Sequence, residues 1–163
     1  MLFVGFKRAQ SQNAIGIEII SVSKSKLALT YTVENRSDTV KSLNLWNFGD
    51  SGFLTMRLIS QNEPVYIPCD MVRPNYKSIF LDKRNYIILQ PGQKKRLKFK
   101  LRNCNLRNSQ YQEGSSFKVV LHYSVNPDAL KRAFGDKTPD NEFLDSLYQK
   151  ETYSNEFSFD KKK

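Results

Sequence analysis

The chain alternates apolar and polar residues for most of its length, and a period of two is the mark of half-buried β-strands. Ile15, Ile17 and Ile19 alternate with Gly16 and Glu18. Leu27, Leu29, Tyr31 and Val33 point one way, and Lys26, Thr30, Thr32 and Glu34 the other. Asn35-Arg36-Ser37-Asp38 is turn chemistry, because Asn, Ser and Asp side chains bond nearby backbone. Leu43 and Leu45, then Leu54, Met56 and Leu58, then Val65 and Ile67, open further strands. Residues 70–84 show no steady period. Tyr86 to Leu89 form the next strand, and Pro91-Gly92 ends it with the residues a type II turn requires. Leu97, Phe99 and Leu101 then point inward. Phe117, Val119, Leu121, Tyr123 and Val125 give the longest clean alternation, and Phe157 and Phe159 close the series.

One section breaks the period. Asn126-Pro127-Asp128 has the form of an N-cap followed by proline at the first helical position, and Gly135 is a C-terminal stop. Thr138-Pro139-Asp140 repeats the start signal, and Phe143, Leu144, Leu147 and Tyr148 share one helical face. The chain is therefore expected to be all-β, an immunoglobulin-like sandwich of about eight or nine strands. A helical insertion over residues 126–150 is expected to precede its last strand. The expected domain spans 15–160, with a tail over 1–14 and a basic tail over 161–163.

Composition agrees with one domain. The 163 residues include eleven Phe and eight Tyr, too many for a solvated disordered chain. No stretch approaches the roughly 18 apolar residues that a membrane-spanning helix needs. The opening MLFVGF is short and is followed, not preceded, by Lys7 and Arg8, the reverse of a secretory signal. It reads either as a frayed end or short strand, or as the remnant of a longer export signal.

Chemistry is sparse. His122 is the single histidine, and its parity on its strand is opposite to the core residues, as for a surface or inter-element position. Cys69 and Cys104 are the two cysteines. With one histidine they cannot supply the four ligands of a structural zinc site. They read as idle thiols or as one disulfide, the latter in an oxidising compartment. Asp136, Thr138, Asp140 and Glu142 are spaced as loop oxygen ligands can be. However, helix capping accounts for the same residues, and the glycine and final glutamate of an EF-hand loop are missing. No metal or cofactor is expected, and no nucleophile elbow, P-loop, dinucleotide fingerprint or HExxH motif is present. The single Trp46 reads as a core or inter-sheet anchor.

Charge changes the picture more. The net charge is +10, unevenly spread. Residues 83–118 hold ten basic residues against one acidic, a net +9, whereas 127–160 carry −4. Arg96, Lys98, Lys100 and Arg102 alternate with Leu97, Phe99 and Leu101, so on a strand the four cations share the outward face, about 6–7 Å apart. This face suits an anionic polymer, though lysines on an edge strand also discourage aggregation. The acidic helical section could instead dock on the basic face within the chain. With no recognition helix, zinc finger or RNP-like motif, nucleic acid is the weaker choice of partner.

Four runs together resemble a known plan: LTYTVENRSD (29–38), NLWNFGDSGF (44–53), ILQPGQKKRLKF (88–99) and SNEFSF (154–159). They are similar to bacterial immunoglobulin-like domains, including the intracellular proteinase inhibitor type. The resemblance covers residues 15–125 and 152–160 and leaves the helical insert unmatched. It implies a non-catalytic binding module, usually outside the cytoplasm, for a protein or cell-surface polymer, with protease inhibition and polyanion binding as alternatives. A cytoplasmic location stays open. No reactive-site loop can be carried over.

Overall fold

A computed structural model describes residues 13–23, 28–46, 53–60, 63–66, 85–100 and 116–160. Strands β1 (Ile15–Ser23) and β2 (Ala28–Asn35) pair antiparallel, and β2 also pairs β7 (Lys94–Lys100). A second antiparallel sheet runs β10 (Phe157–Asp160), β8 (Ser116–Tyr123), β4 (Leu54–Ser60) and β5 (Glu63–Tyr66). The two-residue β9 (Thr152–Tyr153) lies along β8 as well. A small ribbon joins β3 (Lys41–Asn44) to β6 (Tyr86–Leu89). The protein is thus mostly β-strand in antiparallel sheets.

Both larger sheets turn their apolar parity onto one core. Ile15, Ile17 and Ile19 from β1, and Leu29, Tyr31 and Val33 from β2, share a cluster with Leu54 and Met56 of β4 and with Val119, Leu121 and Tyr123 of β8. Full burial of each such side chain contributes roughly 1.5–3 kcal/mol. Burial also raises the phenol pKa of Tyr31 and Tyr123 far above the ordinary value, so both stay neutral.

The helical section closes one end of this core. Helix α1 (Pro127–Phe134) starts where Asn126 Oδ1 accepts from the Ala129 N–H at 3.0 Å, and ends at Gly135, whose φ is 55°. A 3₁₀ turn (Gly135–Lys137) leads to α2 (Asn141–Asp145), capped by Asp140 Oδ1 accepting from the Phe143 N–H at 2.8 Å. Asp140 therefore caps a helix rather than serving a cation loop. Leu130, Leu144, Leu147 and Tyr148 are buried in the shared core. The Tyr148 N–H donates to Ser42 O at 2.8 Å, and Phe134 packs on Trp46 with ring centroids 5.6 Å apart. Two short strands, not one, follow the helices.

β9 and β10 divide one edge of β8 between them, at His122–Tyr123 and Ser116–Val119. Between them the chain leans towards β1. Ser154 bridges Ile17, and the Asn155 side chain brackets Ile19, accepting from its N–H at 2.7 Å and donating to its carbonyl at 3.3 Å. A carboxamide carries the same donor and acceptor as a peptide group, so Asn155 stands in for a strand residue.

Asn35 fixes the turns where β2 ends and β7 begins. It is fully buried. Its Nδ2 donates to Thr39 O at 2.7 Å and Leu89 O at 3.0 Å, and its Oδ1 accepts from Ser37 N at 3.0 Å and Ser37 Oγ at 2.7 Å. Two carbonyls on one side and two donors on the other allow only this amide orientation. The Asn35 backbone also donates to Gln93 O and accepts from Gly92 N. Gly92 has a φ of 71° and Gln93 N donates to Gln90 O, as in a type II turn built on Pro91-Gly92.

Asn35→Asp keeps the shape but removes both donations, leaving two carbonyls facing a carboxylate. It is expected to cost about 3 kcal/mol or more, against about 1 kcal/mol for Ser37→Ala. Urea unfolding at an unchanged m-value checks this. A loss below about 1 kcal/mol for Asn35→Asp would show that the carboxamide does not hold the turns.

Candidate functional site

The outward face of β7 is where the sequence places its cations. Lys94, Arg96 and Lys98 are all exposed. In register, Lys94 lies beside Glu34, Arg96 beside Thr32 and Lys98 beside Thr30 of β2. Lys94 Nζ pairs with Glu18 Oε2 at 3.3 Å, and Glu34 is taken by Arg36 at 3.0 Å. Arg96 and Lys98 have no carboxylate partner among the described residues. The helical section does not neutralise them, because its exposed Asp128, Asp136, Asp140, Glu142 and Asp145 make no ion pair with either. Lys100 ends β7, and its side chain lies outside the described residues. Arg102, Cys69 and Cys104 lie outside them altogether.

Thr32 follows the outward parity of its strand yet is buried. It sits in the middle strand, in register between Glu18 and Arg96, whose long side chains can lie over a short one.

The second sheet carries a different outward cluster. His122 faces away from the core, opposite Thr55 on β4 and Tyr153 on β9, and is nevertheless only 6% exposed. Tyr153 forms its roof, with ring centroids 4.3 Å apart and planes within 6°. Arg57 Nη2 lies 3.1 Å from His122 Nδ1, and Glu151 Oε1 lies 2.5 Å from Nε2. A guanidinium only donates, so Nδ1 must accept and the proton sits on Nε2, donated to Glu151. The imidazole is thereby held neutral as one tautomer. Tyr153 Oη also donates to Glu151 at 3.0 Å, and the Arg57 guanidinium carbon stands 5.5 Å from the Tyr153 ring centroid.

Burial and then Arg57 lower the His122 pKa from its ordinary 6.5, partly offset by Glu151. The Glu151 carboxyl is lowered chiefly by the Tyr153 hydroxyl. With both ring nitrogens engaged and the ring covered, His122 presents no lone pair to a substrate. The cluster pins β9 on β8. Among the described residues no group of three metal-ligating side chains occurs, and no helix is long and apolar enough to cross a membrane.

Sequence reasoning placed His122 on the outward parity but missed Arg57, Glu151 and Tyr153. The usable signal was the alternation of Glu151 and Tyr153, two residues apart on the closing segment. The partnership itself spans a sequence separation of 29 that includes the helical section.

No protein-family model matches the chain, and no curated protein matches it.

The lowered His122 pKa has a definite sign. Well above pH 6.5 the ring is neutral in folded and unfolded chains alike and contributes no pH dependence. As pH falls through 6.5 the unfolded chain takes the proton first, so stability declines until the folded ring also titrates. Wild-type protein is expected to lose urea resistance between pH 7.5 and pH 5.5, roughly one unit either side of the ordinary histidine value. His122→Gln can still accept from Arg57 and donate to Glu151, and should lose less. Equal losses in the two proteins would refute this account.

Proposed function

We propose that this chain is a non-catalytic, immunoglobulin-like binding module that recognises an anionic partner, a protein or surface polymer, through the outward face of β7. The strand arrangement supports the architecture. In immunoglobulin sandwiches the first, second and E strands share one sheet and the C, F and G strands the other. Here β1-β2-β7 and β10-β8-β4 share one core in the same order, with β3 and β6 as an additional ribbon. The four-run resemblance points to the same plan. A non-catalytic role fits a histidine whose nitrogens are both occupied within the fold.

The observation that carries the reading is Arg96 beside Lys98, exposed on one strand with no carboxylate partner among the described residues. Two solvated cations in a row raise the local positive potential, which attracts polyanions and is screened by salt. The neighbouring Lys94–Glu18 and Arg36–Glu34 pairs are neutral overall, so among the described residues of this face the unbalanced charge is that of Arg96 and Lys98.

Heparin chromatography tests this. The Arg96→Ser/Lys98→Ser variant is expected to elute at lower salt than wild type. Lys118→Ser removes another exposed lysine, paired with Glu156 on the other sheet, and should leave elution unchanged. Co-elution of the double variant with wild type would remove the reading.

A further inference from the structure

The backbone of β7 is oriented as specifically as its side chains. In an antiparallel pair, successive residues alternate between bonding the neighbour and facing away from it. Asn35 N donates to Gln93 O at 3.0 Å, so Asn35 turns its peptide groups towards β7. On the other side, Arg36 N donates to Ala14 O, so Arg36 turns towards β1. Continuing this alternation through the unbroken register from Glu34↔Lys94 to Ala28↔Lys100, Val33, Tyr31 and Leu29 bond Lys95, Leu97 and Phe99. The N–H and C=O groups of Lys94, Arg96 and Lys98 therefore point away from β2. Among the described residues nothing pairs with that edge.

The residues that offer free backbone groups are thus the same ones that carry the outward cations. A strand laid along this edge would place residues directly opposite Arg96 and Lys98, with Cα atoms about 5.5 Å away and side chains on the same face. Positive side chains there repel a second β7, which guards the edge against self-pairing. They favour a strand with carboxylates at alternate positions.

Resting on the reading that β7 is the binding face, we infer that its partner is an extended acidic polypeptide segment added as a fourth strand at the edge of β1-β2-β7. Its main chain would bond the free N–H and C=O groups of Arg96 and Lys98, and its alternate carboxylates would pair with their side chains. Backbone bonds supply affinity in this mode, and the opposed charges select the sequence and register.

A short peptide alternating glutamate with valine is the probe, compared with two controls. One carries N-methyl groups on the amides that would face β7, and the other has lysine in place of glutamate. Binding is read by fluorescence anisotropy and by hydrogen exchange of the Arg96 and Lys98 amides. The acidic peptide should bind and slow exchange at both amides, the N-methylated and lysine forms should not bind, and Arg96→Ser/Lys98→Ser should weaken binding about five- to tenfold.

Equal binding of the N-methylated peptide would overturn strand addition, since charge alone would suffice, while leaving the basic face intact. Heparin retention that depends on Arg96 and Lys98, without peptide binding, would likewise overturn it and point to a polymer. Absence of both would remove the underlying reading as well. Peptide binding with unchanged exchange at Arg96 and Lys98 would place the partner elsewhere and overturn the inference.

Discussion

A single buried carboxamide decides which way the cations of β7 face. Asn35 uses both of its donors and its acceptor oxygen on the Thr39 and Leu89 carbonyls and on Ser37. Its main chain meets Gly92 and Gln93. It thereby joins the end of β2, the end of β6 and the turn into β7 at one point. Because strand side chains alternate with period two, a slip of one residue in β7 would send Arg96 and Lys98 into the core and Leu97 out to solvent. The shared core resists that slip from one side, and Asn35 sets the starting residue from the other. The parity of Lys94, Arg96 and Lys98, of both side chain and peptide group, follows from it.

The two outward faces then differ in how their charges are balanced. On the second sheet, Arg57, His122, Glu151 and Tyr153 bond one another, and Lys118 has Glu156. Among the described residues, this cluster is committed to holding β9 in place. On the first sheet, among the described residues, Lys94 and Arg36 are paired, while Arg96 and Lys98 are exposed without a carboxylate partner. Surface ion pairs contribute little stability, commonly below about 1 kcal/mol. The contrast therefore says less about what holds the sheets together than about which face can engage a partner.

Much of the fold was legible in local chemistry. The alternations of β2 and β8, the Pro91-Gly92 turn and the helix start at Asn126 are each set by residues within a few positions of one another, whereas the second helix starts at Asp140, two residues beyond the Thr138 of its signal. So was the outward row of Arg96 and Lys98. What escaped depends on contacts distant in sequence. Asn35 read only as a turn residue, because nothing nearby reveals that Leu89 and Gln93 enclose it. Thr32 read as outward, which is correct, but parity did not reveal its burial, which depends on what its neighbouring strands carry. His122 was placed on the right face, but its roof comes from a two-residue strand that local periodicity cannot mark. The free edge of β7 needed the register with β2 and the direction of the Asn35 amide together.

The seam at Ile19 and Asn155 constrains the order in which the protein can fold. Those residues are 136 positions apart, and closing so long a loop must be offset by contacts formed afterwards. β1 and β2 can meet early as sequence neighbours, but the other edge of β1 stays open until the closing segment arrives. During synthesis that edge is an unpaired template of backbone donors and acceptors, exposed for as long as the ribosome takes to reach Asn155. Topologies rich in such distant pairings fold slowly. The carboxamide of Asn155 is thus a late fastener, and the nascent chain is most open to mispairing just before it engages.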